Sequence, residues 1–77
     1  MLEDIKLMVK LQLGVEVVHA SDRLMEDLGA ESVDIANIIA ALEARYAIEV
    51  KESEIAHLIK VSDFFDLVQR HRRHTEV

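Results

Sequence analysis

Cysteine, proline and tryptophan are absent from this 77-residue chain, and glycine occurs only twice. Without cysteine there are no disulfide staples and no thiolate metal sites, which suits a reducing compartment. Packing alone must hold the fold. Without proline, the remaining punctuation is the two glycines and whatever side chains cap the helices. Long apolar runs are also missing: no stretch approaches the roughly 20 residues of a bilayer-spanning helix. Met1-Leu2-Glu3-Asp4 lacks the basic start of a secretory signal, so the expected location is the cytoplasm, without membrane insertion. A chain this short makes one domain, residues 1–77, and buries only about 60% of its unfolded surface. At about 0.05–0.15 kcal/mol per residue, its stability should be about 4–12 kcal/mol. An enclosed active site lined with unpaired polar groups would be hard to sustain on that margin. A surface site is the expectation.

The net charge of −6 is concentrated in the middle of the chain. Residues 22–54 hold nine acids, Asp22, Glu26, Asp27, Glu31, Asp34, Glu43, Glu49, Glu52 and Glu54, against three bases, Arg23, Arg45 and Lys51. The remaining positions hold six of each sign and cancel. An acidic middle repels phosphate backbones and attracts basic protein surfaces, so the expected partners are proteins and not nucleic acid.

The hydrophobic period is helical throughout. Leu2, Ile5, Met8, Val9 and Leu13 form a first stripe ending at Gly14, which predicts a helix over about 2–13. Residues 15–31 carry Val15, Val17, Val18, Leu24, Met25 and Leu28 without a sustained period. They read as a long connection with apolar anchors and a function at its end. The short Val15-Glu16-Val17-Val18 run has no partner strand. Ile35, Ile38, Ile39, Leu42 and Tyr46 predict a second helix over about 32–46, with Ser32 as its N-cap. Glu52–Leu58 reads as a short third helix in which Ile55, Leu58 and Ile59 face inward. Val61, Phe64, Phe65 and Val68 mark a fourth, capped by Ser62 or its predecessors, with Arg70, Arg72 and Arg73 near its negative end. The predicted fold is all-α: a small antiparallel four-helix bundle, one helix short, with a long loop between the first two.

Ser32 is the one position that looks built for chemistry. It starts an apolar helix directly behind Asp27-Leu28-Gly29-Ala30-Glu31, where a loop-to-helix corner exposes its hydroxyl. As a plain cap it would lack the Glu or Gln three residues on that completes a capping box, because that position is Ile35. As a catalytic nucleophile it would need a positioned base, and His19, His57, His71 and His74 have no spacing tied to it. His71 and His74, one turn apart, are too few ligands for a metal site.

The segment Asp27-Leu28-Gly29-Ala30-Glu31-Ser32-Val33-Asp34 resembles the Asp-Leu-Gly-Ala-Asp-Ser-Leu-Asp of acyl carrier proteins. The similarity continues through Leu42-Glu43, Tyr46-Ala47-Ile48-Glu49-Val50 and Val61-Ser62-Asp63-Phe64-Phe65, covering nearly the whole chain in the right helix order. The resemblance implies that Ser32 carries a covalent 4'-phosphopantetheine arm taken from coenzyme A. The arm's thiol would hold acyl intermediates as thioesters for fatty-acid, polyketide or related lipid and secondary-metabolite synthesis. It further implies a monomeric carrier without catalysis of its own, modified by a separate phosphopantetheinyl transferase. Its other partners would be acyl-transferring, condensing or ligase enzymes with basic docking surfaces. The docking strip would comprise Glu31, Val33, Asp34, Ala36, Asn37, Ala40 and Glu43. Ile38, Ile39, Leu42, Ile48, Ile55, Ile59 and Val61 would form a core able to part around an acyl chain. An unmodified interaction domain with the same fold and a peptidyl or aminoacyl carrier are the alternatives. Gly29-Ala30, where peptidyl carriers show Gly-Gly, favours an acyl cargo.

The departures from that pattern are informative too. Glu31 stands where Asp is usual, and Val33 where Leu is usual. Asn37, Ala44 and Arg45 fall where general fatty-acid carriers tend to be acidic. The second helix has lost charge where general synthases dock, which points to a specialised carrier with a dedicated pathway.

Overall fold

Each apolar stripe in the sequence folds as a helix, and the stripes meet in one core. The computed structural model describes residues 1–75, with the side chains of 73–75 excepted; the expectations placed on Arg73 and His74 lie outside the described residues. The helices are α1 (Leu2–Leu13), α2 (Ser32–Tyr46), α3 (Glu52–Ile55) and α4 (Val61–Thr75). No strand forms among the described residues, Val15–Val18 included; Arg23 and Lys60 make an isolated antiparallel bridge. Ile5 and Val9 of α1, Ile35, Ile38, Ile39 and Leu42 of α2, and Val61, Phe64, Leu67 and Val68 of α4 are buried together. Leu24 and Ala30 from the long connection and Leu58 from beyond α3 complete the cluster.

α1 packs on α2 and α4. It runs antiparallel to α2, because Gln12 at its end donates to Asp34 at 3.2 Å while Asp4 at its start meets Arg45 at 3.4 Å. These exposed contacts set register more than stability, since pairs of this kind are worth about 1 kcal/mol or less. α1 ends as expected at Gly14, whose φ of 68° is left-handed and whose N–H closes on the Lys10 carbonyl at 2.9 Å. α2 ends the same way without glycine. Ala47 takes φ 54°, ψ 48°, and its N–H bonds to the Glu43 carbonyl. A left-handed residue bearing a Cβ is strained by about 1–2 kcal/mol, and glycine gives back part of that gain as chain entropy. Ala47→Gly should therefore raise stability by about 0.5 kcal/mol. Thermal unfolding followed by circular dichroism would show a higher Tm, and a lower one would refute strain at this corner.

Helix starts depart from the expected capping. Ser32 is not the N-cap of α2. Glu31 is, in an extended conformation (φ −103°, ψ 169°), and Ser32 is the first helical residue. The Asp34 carboxylate reaches back to accept the Glu31 N–H at 2.9 Å. α3 repeats the device, with Glu54 accepting from the Lys51 N–H at 2.9 Å. At α4 it is Asp63 that accepts from the N–H groups of Lys60 and Ile59, at 2.7 and 2.9 Å. Ser62 does not cap α4; its N–H donates to the Ala20 carbonyl at 2.9 Å. Three helices are thus opened by a carboxylate three residues past the cap, the returning half of a capping box. An anion there also suits the positive end of the helix dipole.

α3 is shorter than the sequence suggests. It stops at Ile55, and of Ile55, Leu58 and Ile59 only Leu58 is buried. Four residues of helix cannot present a full apolar stripe, so the segment relies on its flanks. Ile55 and Ile59 accordingly drop out of the expected core. The long connection is held down by backbone bonds to the start of α4. The Leu24 N–H donates to the Ile59 carbonyl at 2.8 Å, and the Val61 N–H to the Asp22 carbonyl at 3.0 Å.

Candidate functional site

The corner ahead of α2 is built by local bonds around Arg23. The N–H groups of Asp27 and Leu28 donate to the Arg23 carbonyl, at 2.9 and 3.1 Å, and the Gly29 N–H donates to Met25 at 3.2 Å. Gly29 takes φ 72°, a left-handed conformation that turns the chain toward the helix. A Cβ there would meet nothing within 4 Å, so the glycine answers to backbone conformation and not to crowding. The Ala30 N–H then donates to the Leu24 carbonyl at 2.8 Å, which draws Ala30 to 6% exposure. Ala30 thus does more than supply a small residue beside Ser32. Its actual place is in the core, where it anchors the corner.

Two residues later Ser32 stands exposed on the first turn of α2. No other described group hydrogen-bonds its hydroxyl. Around it lie the first N–H groups of the helix, which lack intrahelical acceptors. An anion attached to that hydroxyl would sit where the helix dipole favours it, against the opposition of Glu31. An exposed serine hydroxyl at such a corner can take a phosphodiester without disturbing any bond in the fold.

The expected docking residues separate into two groups. Glu31, Val33, Ala36, Asn37 and Ala40 are exposed along one face of α2. Asp34 and Glu43 are only partly exposed and have structural partners. Asp34 holds the Glu31 N–H and the Gln12 amide, and Glu43 accepts from the Val50 N–H at 2.9 Å, pinning the chain after Ala47. Helical spacing places these carboxylates near the strip but gives no sign that Glu43 reaches the Val50 N–H. Arg23 is the residue the sequence reading missed. Its guanidinium bonds both Glu26 and Asp27, the latter through Nε at 3.3 Å and Nη2 at 3.2 Å, while its own N–H donates to Asp27 at 2.8 Å. An arginine four residues before an aspartate in a turn was the available signal.

His71 sits against α3. Its Nε2 lies 3.0 Å from both oxygens of Glu54, and Arg70 approaches the same carboxylate at 4.0 Å. No group of three metal-ligating side chains forms among the described residues.

Three carboxyls are held below the ordinary carboxylate range. Asp27 is held there first by the Arg23 side chain and then by its N–H, and Asp34 by the Glu31 N–H and Gln12. For Glu54 the Lys51 N–H leads, burial opposes, and His71 and Arg70 add to the lowering. A carboxyl depressed in the folded state contributes stability that is fully present above its unfolded pKa of about 4 and is lost as pH falls through the folded value. Urea melts should therefore weaken from about pH 4 downward. In Asp34→Asn the decline should be shallower; an unchanged acid profile would show that the cap carries no such linkage.

The phosphopantetheine attachment site family model matches residues 3–68. The chain is 33% identical over 69 residues to an acyl carrier protein of Campylobacter lari, covering 87% of this chain and 90% of that one. It is 35% identical over 68 residues to the acyl carrier protein of Campylobacter jejuni strain RM1221, with 86% and 88% covered. The acyl carrier protein of Campylobacter fetus subsp. fetus is 34% identical over 68 residues at the same coverage.

Proposed function

This chain belongs to the acyl carrier protein family, and from that premise we propose that Ser32 is the residue to which its 4'-phosphopantetheine is joined. The family carries acyl groups on that covalently bound prosthetic group and is non-catalytic. One observation carries the assignment to Ser32: its hydroxyl is exposed on the first turn of α2 and bonded to nothing else described. The prosthetic group supplies a terminal thiol that holds the acyl chain as a thioester.

The protein's own residues do the rest. Ser32 provides the hydroxyl that a separate phosphopantetheinyl transferase joins, with loss of its proton, to the pantetheine-side phosphate of coenzyme A, breaking the diphosphate bond and releasing adenosine 3',5'-bisphosphate. The turn fixed by Gly29 and Ala30 holds that hydroxyl clear of the core. Asp34 secures the cap, so that the first turn of α2 does not fray while the enzyme is bound. Glu31, Val33, Ala36, Asn37 and Ala40 form the strip that successive acyl-transferring, condensing or ligase enzymes meet. Its scarcity of charge supports a specialised pathway, and Gly29-Ala30 supports an acyl cargo over an aminoacyl one.

Intact-protein mass before and after incubation with coenzyme A, magnesium and a broad-specificity transferase tests the assignment. The expected gain is one phosphopantetheine group, located on Ser32 by peptide mapping. An unchanged mass on both the recombinant and the native protein would leave an interaction domain without an arm.

A further inference from the structure

α1 is apolar on two faces, although its place in the fold uses only one. Ile5 and Val9 lie fully buried in the core that α1 shares with α2 and α4. Helical spacing turns Leu7 and Leu11 away from that core, and they are 52% and 73% exposed. Val17, from the connection that borders the same groove as Leu7 and Lys10, is 62% exposed. A single exposed leucine is ordinary on a protein surface, whereas large apolar side chains gathered on one face mark a contact surface.

The charges on this helix balance. Glu3 and Asp4 stand against Lys6 and Lys10, so α1 sums to zero, while residues 22–54 hold the whole net charge of −6. Glu3 meets Lys6 at 3.3 Å and Asp4 turns to Arg45, but Lys10 is exposed and no described group pairs with its ammonium. A broadly basic partner, of the kind the acidic middle attracts, finds no matching field here. The face matches itself instead. Glu3 and Lys10 lie four residues before and three residues after Leu7, on one flank of it. When the α1 of a second copy crosses antiparallel at Leu7, the two Leu7 side chains meet and each Lys10 comes beside the other copy's Glu3. That reciprocity is what a two-fold interface demands.

We propose that the outer face of α1 binds a second copy of this chain, through Leu7, Leu11 and Val17 with reciprocal pairs of Lys10 and Glu3. Three apolar side chains cover well under the roughly 800 Å² per partner of a standard interface, so the dimer is weak and forms only where the protein is concentrated. Dilute protein stays monomeric, as the family resemblance implies. Because α1 meets α2 with its inner side, the second copy leaves Ser32 and the exposed strip of α2 uncovered. Two such serines then travel on one particle. The proposal stands independently of what Ser32 bears.

The test is sedimentation equilibrium of the full chain in reducing buffer at physiological ionic strength, over about 10 µM to about 1 mM. The weight-average mass should climb from one chain toward two across that range. Leu7→Glu, at an exposed position outside the core, should hold it at one chain throughout with an unchanged circular dichroism spectrum. Lys10→Glu sets a like charge beside the other copy's Glu3, and Glu3→Lys does the same to Lys10. Each variant alone should associate about fivefold or more weakly than the unaltered protein. An equimolar mixture of the two should recover the association, because the mixed dimer restores an opposite charge at both pairs. A chain still monomeric at about 1 mM overturns the proposal, and so does association that survives Leu7→Glu, which would put the contact elsewhere. A mixture that associates no better than its components overturns the reciprocal arrangement, even if Leu7→Glu failed to fold.

Discussion

Ser32→Ala should abolish the mass gain from coenzyme A completely while leaving the helical fold in place. The expected loss of loading is total, because no other serine lies on α2: Ser21 is earlier in the long connection, Ser53 on α3 and Ser62 on α4. The effect on stability should be small. If Ser32 were the N-cap, alanine there would cost about 1 kcal/mol. The cap is instead Glu31 with Asp34, and the Ser32 hydroxyl makes no bond, so the cost should fall within about 0.5 kcal/mol. Alanine is also a good residue for a first helical turn. Mass spectrometry and a urea melt on the same sample separate the two readouts. A mutant that still loads would move the attachment site elsewhere, and one that unfolds would make Ser32 a structural residue.

Phe64→Ala should have the largest effect on stability, although α4 contributes nothing to the exposed strip. Phe64 is fully buried, on the helix that shares the core with α1, and it is the largest of the fully buried side chains. Replacing a buried phenylalanine by alanine costs about 3–5 kcal/mol, part from lost transfer and part from the cavity left behind. The whole domain is worth only about 4–12 kcal/mol. The variant should therefore lie close to its unfolding midpoint without denaturant, and its loading rate should fall in proportion to the folded fraction. A cost below about 1 kcal/mol would mean that the core closes over the gap, contrary to the close packing expected of it.

The long helices were legible because three- and four-residue spacing is a strong signal over a dozen residues. Leu2–Leu13 and Ser32–Tyr46 fall where the apolar stripes put them, and Gly14 ends α1 as a glycine stop should. α3 was harder to read. Ile55, Leu58 and Ile59 have helical spacing, yet a single turn cannot bury all three, and the chain leaves the helix at Ile55 to meet the long connection. The capping was misread for a chemical reason. Serine is the customary cap, so Ser32 and Ser62 drew the assignment, whereas the fold uses acids three residues past each cap. The pairs Glu31 and Asp34, Lys51 and Glu54, and Lys60 and Asp63 share that spacing, and the repetition was the visible clue. Ser32 stood out by its neighbours, while the bonds of Asp34 to Gln12 and of Glu43 to Val50 join separate segments that no local pattern specifies; Arg23, whose partners lie three and four residues on, left a local signal that went unread.

The bonds from Leu24 to Ile59, from Val61 to Asp22 and from Ser62 to Ala20 join parts of the chain that are far apart in sequence. Closing so long a loop costs entropy before any contact repays it, which places these bonds late in assembly. A chain still leaving the ribosome, with α4 unmade, already contains the local turn around Arg23 but not the bonds that tie that turn to the start of α4. The long connection therefore stays untethered until the last helix is made, and the final setting of the turn ahead of α2 is a late product of folding.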